Sequence, residues 1–331
     1  MSKKPHILQV PESLVVEHYQ EPVKFAQTQL KIIWFPDEIK LEKDKQDILT
    51  NMSDAERFGL TYMQKLFTLY ELKAGADYWN GRFKKIFKRP EMQRMAAVFG
   101  AVELAVHKPF YQRTNELLNQ DTEAFYLEYK SDSVLSERMA FIESCIRHPN
   151  DLVSLGAFSM VEGAILYTNF GFGKHFQSGG KNKVVNFVRG LDMSVRDENI
   201  HSIAGAWAFR TLKSQLNLSQ EQEDEVHKIL IECAENIRKH EHYISGKFFE
   251  KGSIPGITAH QLCNFADSRL NSCMVELGYD SLYEITYNPI ADWFYKSING
   301  LKMNDFFTGV GNGYVRDWDE ESFEWKEYQK I

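Results

Sequence analysis

The sequence predicts an all-α fold, a bundle of long helices with a pair of metal ions in its four-helix core. Three observations predict it. The 331 residues include only 20 Gly and 9 Pro, too few for the frequent tight turns of a many-stranded sandwich. Apolar residues recur three and four apart over long stretches, the period of a helix with one face buried. Inside those stretches sit glutamates and histidines, which a core does not tolerate unless something pairs with them.

Composition narrows the class. Hydrophobic residues make up 43% and charged residues 26%, which excludes both a disordered polymer and a membrane bundle. A net charge of -7, from 39 Lys+Arg against 46 Asp+Glu, argues against a nucleic-acid partner. Cys145, Cys233, Cys263 and Cys273 form no CxxC pair and no zinc-finger spacing; they read as reduced packing thiols of a cytoplasmic protein. The opening MSKKPHILQV has no apolar stretch of signal-peptide length. The longest apolar run, Met95 to Val106, contains Glu103 and falls short of the ~20 residues of a membrane span.

Residues 1–50 are polar and broken by Pro5, Pro11, Pro22 and Pro36, so an irregular N-terminal segment is expected there. Ser53 with Glu56 three residues on is a capping-box pattern. From it Leu60, Met63, Leu66, Phe67, Tyr70 and Ala74 mark the apolar face of a helix reaching about Ala76. After the charged turn GRFKKIFKRP, Pro90 opens the next helix, with Met92, Met95, Ala96, Phe99, Val102, Val106 and Phe110 along it. Residues 151–172 are apolar nearly all round, the mark of a central helix. A Gly/Lys loop leads to a helix from about Val184 to Leu212; an amphipathic one follows from about Ser219 to Phe249, and Pro255 introduces at least one more. The helical domain is thus expected over 51–305, and the Gly-broken, acidic and aromatic stretch 306–331 reads as a flexible tail. Neither GGKNK nor the glycines Gly309, Gly311 and Gly313 match a phosphate-binding loop.

Four helices carry the informative side chains. Glu71 lies near the end of the first, Glu103 and His107 in AVELAVH on the second, Glu162 within the most apolar one, and Glu198 and His201 in VRDENIH on the fourth. At about 100° per residue, spacings of three and four both put a Glu–His pair on one helix face. Two helices giving one carboxylate each and two giving Glu–His pairs is the side-chain set of a dinuclear site in a four-helix bundle. Oxygen and imidazole donors without thiolate suit iron or manganese. Asp197 is placed to accept a hydrogen bond from a ligating imidazole, or else to pair with Arg196 or another arginine. Tyr111 stands one turn beyond His107 on the same face. Glu223/His227 and His240/Glu241/His242 have similar spacings but charged neighbours throughout, and read as surface residues.

In chain order, IIWFPDEI, MSDAER, HKPFY, VEGAILYTNFGF, VRDENIH and FFTGVGNGYV resemble segments of the class I ribonucleotide reductase β subunit, the radical-generating small subunit with a ferritin-like helical bundle. The resemblance runs from about Ile32 to Val315 and is most specific at VRDENIH. It implies that Glu71, Glu103, His107, Glu162, Glu198 and His201 hold a dinuclear metal centre (Fe/Fe, Mn/Fe or Mn/Mn) activated by an oxygen-derived oxidant. Asp77 is a second candidate for the first carboxylate. Tyr111 maps to the radical tyrosine, Phe170 to a residue lining the site, and Trp34, Asp197 and Tyr314 to an electron relay. The oxidising equivalent is held on Tyr111 or on the metals. A cysteine of a separate large (α) subunit receives it for deoxyribonucleotide synthesis, with the C-terminal tail docking on that subunit and the small subunit forming a homodimer. One departure stands out: the family has E-x-x-H on the second helix, whereas here Leu104 lies three residues before His107 and Glu103 four before it. Either a local helix bulge brings Glu103 to the metals or that ligand is altered. The competing readings are a ferritin-like oxygenase or oxidase acting on an apolar substrate, and a metal-free helical interaction protein whose acids pair with Lys or Arg.

Overall fold

Helices start where the chain supplies its own caps. In the computed structural model, which describes residues 4–13 and 15–300 and side chains as far as Tyr295, the capping box at Ser53 is formed. Its hydroxyl accepts from the Glu56 amide at 3.2 Å, and the Glu56 carboxylate accepts from the Ser53 amide at 2.8 Å. That box opens α2, Asp54–Leu72, which continues as a wider π-helical stretch, Lys73–Phe83, and the single turn α3, Lys84–Ile86. Pro90 opens α4, Pro90–Val102. A second π stretch, Glu103–His107, joins it to α5, Lys108–Leu117.

The short α6, Glu123–Leu127, and α7, Ser133–Arg147, fill a region with no expected element; Asp132 caps α7 through the Val134 and Leu135 amides. The apolar segment from 151 is α8, Asp151–Met160, a third π stretch, Val161–Ile165, and α9, Tyr167–Lys174. Then come α10, Val185–Gln215, α11, Gln220–Lys247, α12, Ala259–Leu277, and α13, Pro289–Gly300. The only β pairing among the described residues is a bridge between Ile254 and Ile257.

α2, the α4–α5 pair, the α8–α9 pair and α10 pack around the centre; α11 and α12 flank α8 and α9, and α13 lies on α12. The fold is an all-α, ferritin-like bundle. Its core is aromatic and aliphatic, with Phe67, Trp79, Phe99, Phe110, Phe158 and Phe170 fully buried near the centre.

Two expectations need correction. The N-terminal segment is not wholly irregular, because α1 spans Gln20–Lys31 and buries Val23, Phe25, Ala26 and Gln29 against α4 and α10. Pro22 lies in the first turn of α1, where a missing N–H costs no hydrogen bond, so it starts this helix rather than breaking it. His240 and Glu241 are also not surface residues: both are fully buried, and Glu241 forms an ion pair with the buried Arg138 of α7. Charged neighbours along α11 misled because its inner face meets a buried cation. His227 and His242 are part-exposed; the first stacks on Tyr279 and the second bonds Asp267 at 2.8 Å. Tyr314 and the segment 306–331 lie outside the described residues.

Candidate metal centre

Each of the four central helices delivers its acid to one point. Glu71 comes from the last turn of α2, Glu103 and His107 are the two ends of the second π stretch, Glu162 lies in the third, and Glu198 and His201 sit one turn apart in α10. All six are buried, none more than 2% exposed. They form two overlapping groups in which the ligating atoms lie within 4.8 Å of one another: Glu71, Glu103, His107 and Glu198, and Glu103, Glu162, Glu198 and His201.

Glu103 and Glu198 belong to both groups, and their oxygens divide between the two imidazoles. Glu103 Oε2 lies 2.9 Å from His107 Nδ1 and its Oε1 2.6 Å from His201 Nδ1; Glu198 Oε1 lies 3.1 Å from His107 Nδ1 and its Oε2 3.6 Å from His201 Nδ1. That is a frame for two centres, each with its own carboxylate and imidazole and two carboxylates in common. The spacing of four between Glu103 and His107 falls within a π stretch, whose extra residue per turn keeps both side chains on the inner face. Of the two alternatives at this position, the helix bulge is the one present.

The partners behind these side chains are specific. Asp197 Oδ2 takes up the far nitrogen of His107 at 3.0 Å and accepts from Trp34 Nε1 at 2.9 Å, while Oδ1 accepts from Gln29 Nε2 at 2.9 Å. No arginine lies within ion-pair distance of Asp197 among the described residues. With Nε2 turned to Asp197, Nδ1 is the nitrogen that faces the cluster, where it would be the ligating atom once deprotonated. Trp79, which sequence reasoning missed, donates its indole N–H to Glu162 Oε1 at 2.7 Å. Gln29 was missed too, because it sits in the segment expected to be irregular. The only signal for Trp79 was its place about two turns beyond Glu71, next to Tyr78, in a stretch broken by Gly75 and Asp77.

Tyr111 is fully buried, its ring stacked on Phe67 at 4.3 Å, with Phe170 on Phe67's other contacts at 5.6 Å. Its hydroxyl makes no hydrogen bond of ordinary geometry. Burial, helped by the charge of Glu71, pushes the phenol well above its usual range. Asp77 points elsewhere: it is half-exposed and pairs with Lys73 at 2.7 Å.

Electrostatics show what the cluster lacks. Burial first, and then the neighbouring carboxylates, hold Glu71 and Glu162 well above the ordinary carboxylate range. Burial also opposes the ionised form of Glu103 and Glu198, yet the two imidazoles beside them draw both below that range. Against their own desolvation, the same carboxylates push His107 well up and His201 up to about 9. Protons are thus the only positive charges available to four buried carboxylates, since no Lys or Arg nitrogen lies within 4.0 Å of them among the described residues. Glu71 Oε1, both Glu198 oxygens and both His201 nitrogens lack hydrogen-bond partners. A buried polar atom without a partner is costly, and two divalent cations would balance four carboxylates. The residues fit a dinuclear site, and the reading in which basic side chains neutralise the acids fails. The cavity bordering Glu71 and Glu162 has room for no more than a water molecule.

A sequence model of the family described as ribonucleotide reductase, small chain, matches residues 13–289. The chain belongs to that family. It is the small subunit of a ribonucleoside-diphosphate reductase. Among curated relatives, this small chain is 23% identical over 309 residues to a probable ribonucleoside-diphosphate reductase small subunit of Invertebrate iridescent virus 3, covering 86% of this chain and 80% of that one. It is 24% identical over 315 residues to the ribonucleoside-diphosphate reductase subunit beta of Treponema pallidum, covering 88% and 84%. Among solved structures, the dimanganese(II) NrdF of Streptococcus sanguinis superposes with a TM-score of 0.73 at 16% identity, covering 85% of this small chain and 98% of that one. A putative class I ribonucleotide reductase from Bacillus halodurans gives 0.71 at 20% identity, covering 84% and 99%. These structures share the small chain's fold.

Proposed function

We propose that the cluster of Glu71, Glu103, His107, Glu162, Glu198 and His201 holds two divalent metal ions, iron, manganese or one of each, and that the small subunit uses them to generate the oxidising equivalent consumed by its large-subunit partner. The observation that carries this is the sharing of Glu103 and Glu198 between two four-residue groups. A metal pair so held, treated with an oxygen-derived oxidant, supplies a one-electron oxidant strong enough for a phenol.

The remaining work belongs to the chain. Asp197 fixes the tautomer and tilt of His107 and links it to the indole N–H of Trp34, a hydrogen-bonded path from the centre to the side on which Trp34 lies. Burial holds the Tyr111 hydroxyl in its protonated form, so oxidation of this ring requires its phenolic proton to leave together with the electron. Phe67 and Phe110 against its ring, with Phe170 packed behind Phe67, keep water and reductants away. The acidic and aromatic sequence 306–331 supports docking of this segment on the large subunit, with Tyr314 carrying the hole onward. Homodimerisation and a cytoplasmic location complete the reading. The dimanganese(II) relative makes manganese the first metal to try.

The test is metal analysis with electron paramagnetic resonance. Anaerobic loading with Fe(II) or Mn(II) should give about two ions per chain, and exposure to the oxidant should give an organic-radical signal that Tyr111→Phe removes. A mixed-valent metal signal with no organic radical would move the stored oxidant to the metals. Failure of both metals to bind would overturn the proposal.

A further inference from the structure

The π stretch Val161–Ile165 that carries Glu162 is held from outside by two buried arginines. Arg138 of α7 donates to the carbonyl of Ile165 at 2.6 Å, and Arg269 of α12 donates to that of Gly163 at 3.0 Å. A wide helical turn takes its carbonyls out of register with α-helical donors, so backbone acceptors are what a side-chain donor would find there. The two arginines differ in their remaining contacts. Arg138 has a counter-ion in Glu241 and also donates to Tyr70 beside Glu71, so it ties the turn into the bundle itself.

Arg269 is buried at 4% exposure and has no carboxylate within 4.0 Å among the described residues. Burying a guanidinium with no counter-ion in contact is costly, and the carboxylate of Glu276 attracts this one only from beyond 4.0 Å. Its direct contacts are with neutral groups: the Gly163 carbonyl, the hydroxyl of Tyr295 in α13 at 3.0 Å, and the ring face of Tyr167 at 4.0 Å. The approach is tight. A Cβ on Gly163 would lie 2.3 Å from Ser202 Oγ of α10 and 2.5 Å from Cys273 Sγ. Cys273 stands one turn beyond Arg269 on the same face of α12. Gly163 therefore sits wedged closely against α10 and α12 with no room for a side chain, and any shift of its carbonyl carries the adjoining Glu162 backbone with it.

We infer that Arg269 is a positioning residue that couples the C-terminal helix to the metal centre, through the path Tyr295 hydroxyl, Arg269 guanidinium, Gly163 carbonyl and Glu162 carboxylate. This rests on Glu162 being a metal ligand. Coupling of this kind is reciprocal: what holds α13 in place sharpens the Glu162 site, and a metal at that site holds α13.

The experiment uses the full chain, as wild type, Tyr295→Phe and Arg269→Lys. Tyr295→Phe removes only a hydroxyl from a part-exposed ring and leaves the fold intact. Mn(II) is titrated by calorimetry and paramagnetic resonance, and amide exchange is followed over residues 289–300 with and without Mn(II). In the wild type, two ions should bind and Mn(II) should slow exchange in α13. In both variants one of the two ions should bind about tenfold more weakly, the lower end of what outer contacts of a ligand contribute, and Mn(II) should no longer protect α13. Two ions with unchanged affinity and unchanged protection in the variants would overturn this inference and leave the metal centre standing. A wild type that binds no Mn(II) would overturn both. Equal weakening of both ions together with a lower melting temperature of the metal-free variants would show general destabilisation, and would also overturn the coupling.

Discussion

At Asp197, three N–H groups from three separate segments meet one carboxylate, those of His107, Trp34 and Gln29. Asn at this position keeps the volume but leaves a single acceptor oxygen, and its own N–H2 would face at least one donor. The expected outcome for Asp197→Asn is a 10–100-fold loss of metal affinity, the usual effect of removing the partner of a ligating histidine, readable by competition with a chelator. The histidines also give the metal-free protein a pH dependence. His201 is raised to about 9 and His107 is raised as well. A raised histidine stabilises the fold fully below its unfolded value near 6.5, and that stability is lost as pH rises through the folded value. The melting temperature of metal-stripped protein should therefore fall between pH 6.5 and 9. Metal-loaded protein, whose ligating imidazoles are already neutral, should not show the fall. A flat profile for the stripped protein would contradict the protonated cluster.

Helix segments here are legible where they are ordinary α-helix and opaque where they are not. The capping box at Ser53 and the proline start at Pro90 are local signals, and both helices begin where those signals put them. The six clustered residues were legible because apolar surroundings make an acid conspicuous. α7 was passed over, and α1 was masked by prolines whose position within a helix a sequence scan does not see. The π stretches were harder still: Glu103–His107 shows in the sequence only as a spacing of four where the family has three. One extra residue in a helix, absorbed locally, leaves both flanks in register. Deleting the exposed Ala105 should then collapse the wide turn into plain α-helix, restore the E-x-x-H spacing and still give about two ions per chain by metal analysis. Deleting the buried Ala96 lies outside any wide turn and rotates the helix after it by about 100° relative to its partners, which should abolish metal binding. If the Ala105 deletion also abolished it, the wide turn would be required in itself rather than as accommodation of one residue.

For the molecule as a whole, the centre joins four helices that have no other reason to bring their acids together. Emptied of cations, the cluster leaves buried oxygens without partners, and the helices carrying Glu71, Glu103, Glu162 and Glu198 meet through mutual repulsion softened only by protons. On the proposed reading metal binds the folded arrangement and not the unfolded chain, so it would stabilise by mass action, about 2.7 kcal/mol for each ion at a hundredfold excess over its dissociation constant. Two such ions give about 5.4 kcal/mol. Unfolding entropy near 2.1 cal/mol/K per residue amounts to about 0.7 kcal/mol/K for a chain of 331 residues, so metal-loaded protein should melt about 8 °C above chelator-treated protein. The gain should follow metal concentration logarithmically, and should disappear in a Glu103→Gln, Glu198→Gln double variant that loses both shared carboxylates. The same melting temperature with Mn(II) and with chelator would mean that the four helices hold their acids together without ions, and the charge argument for the centre would fail.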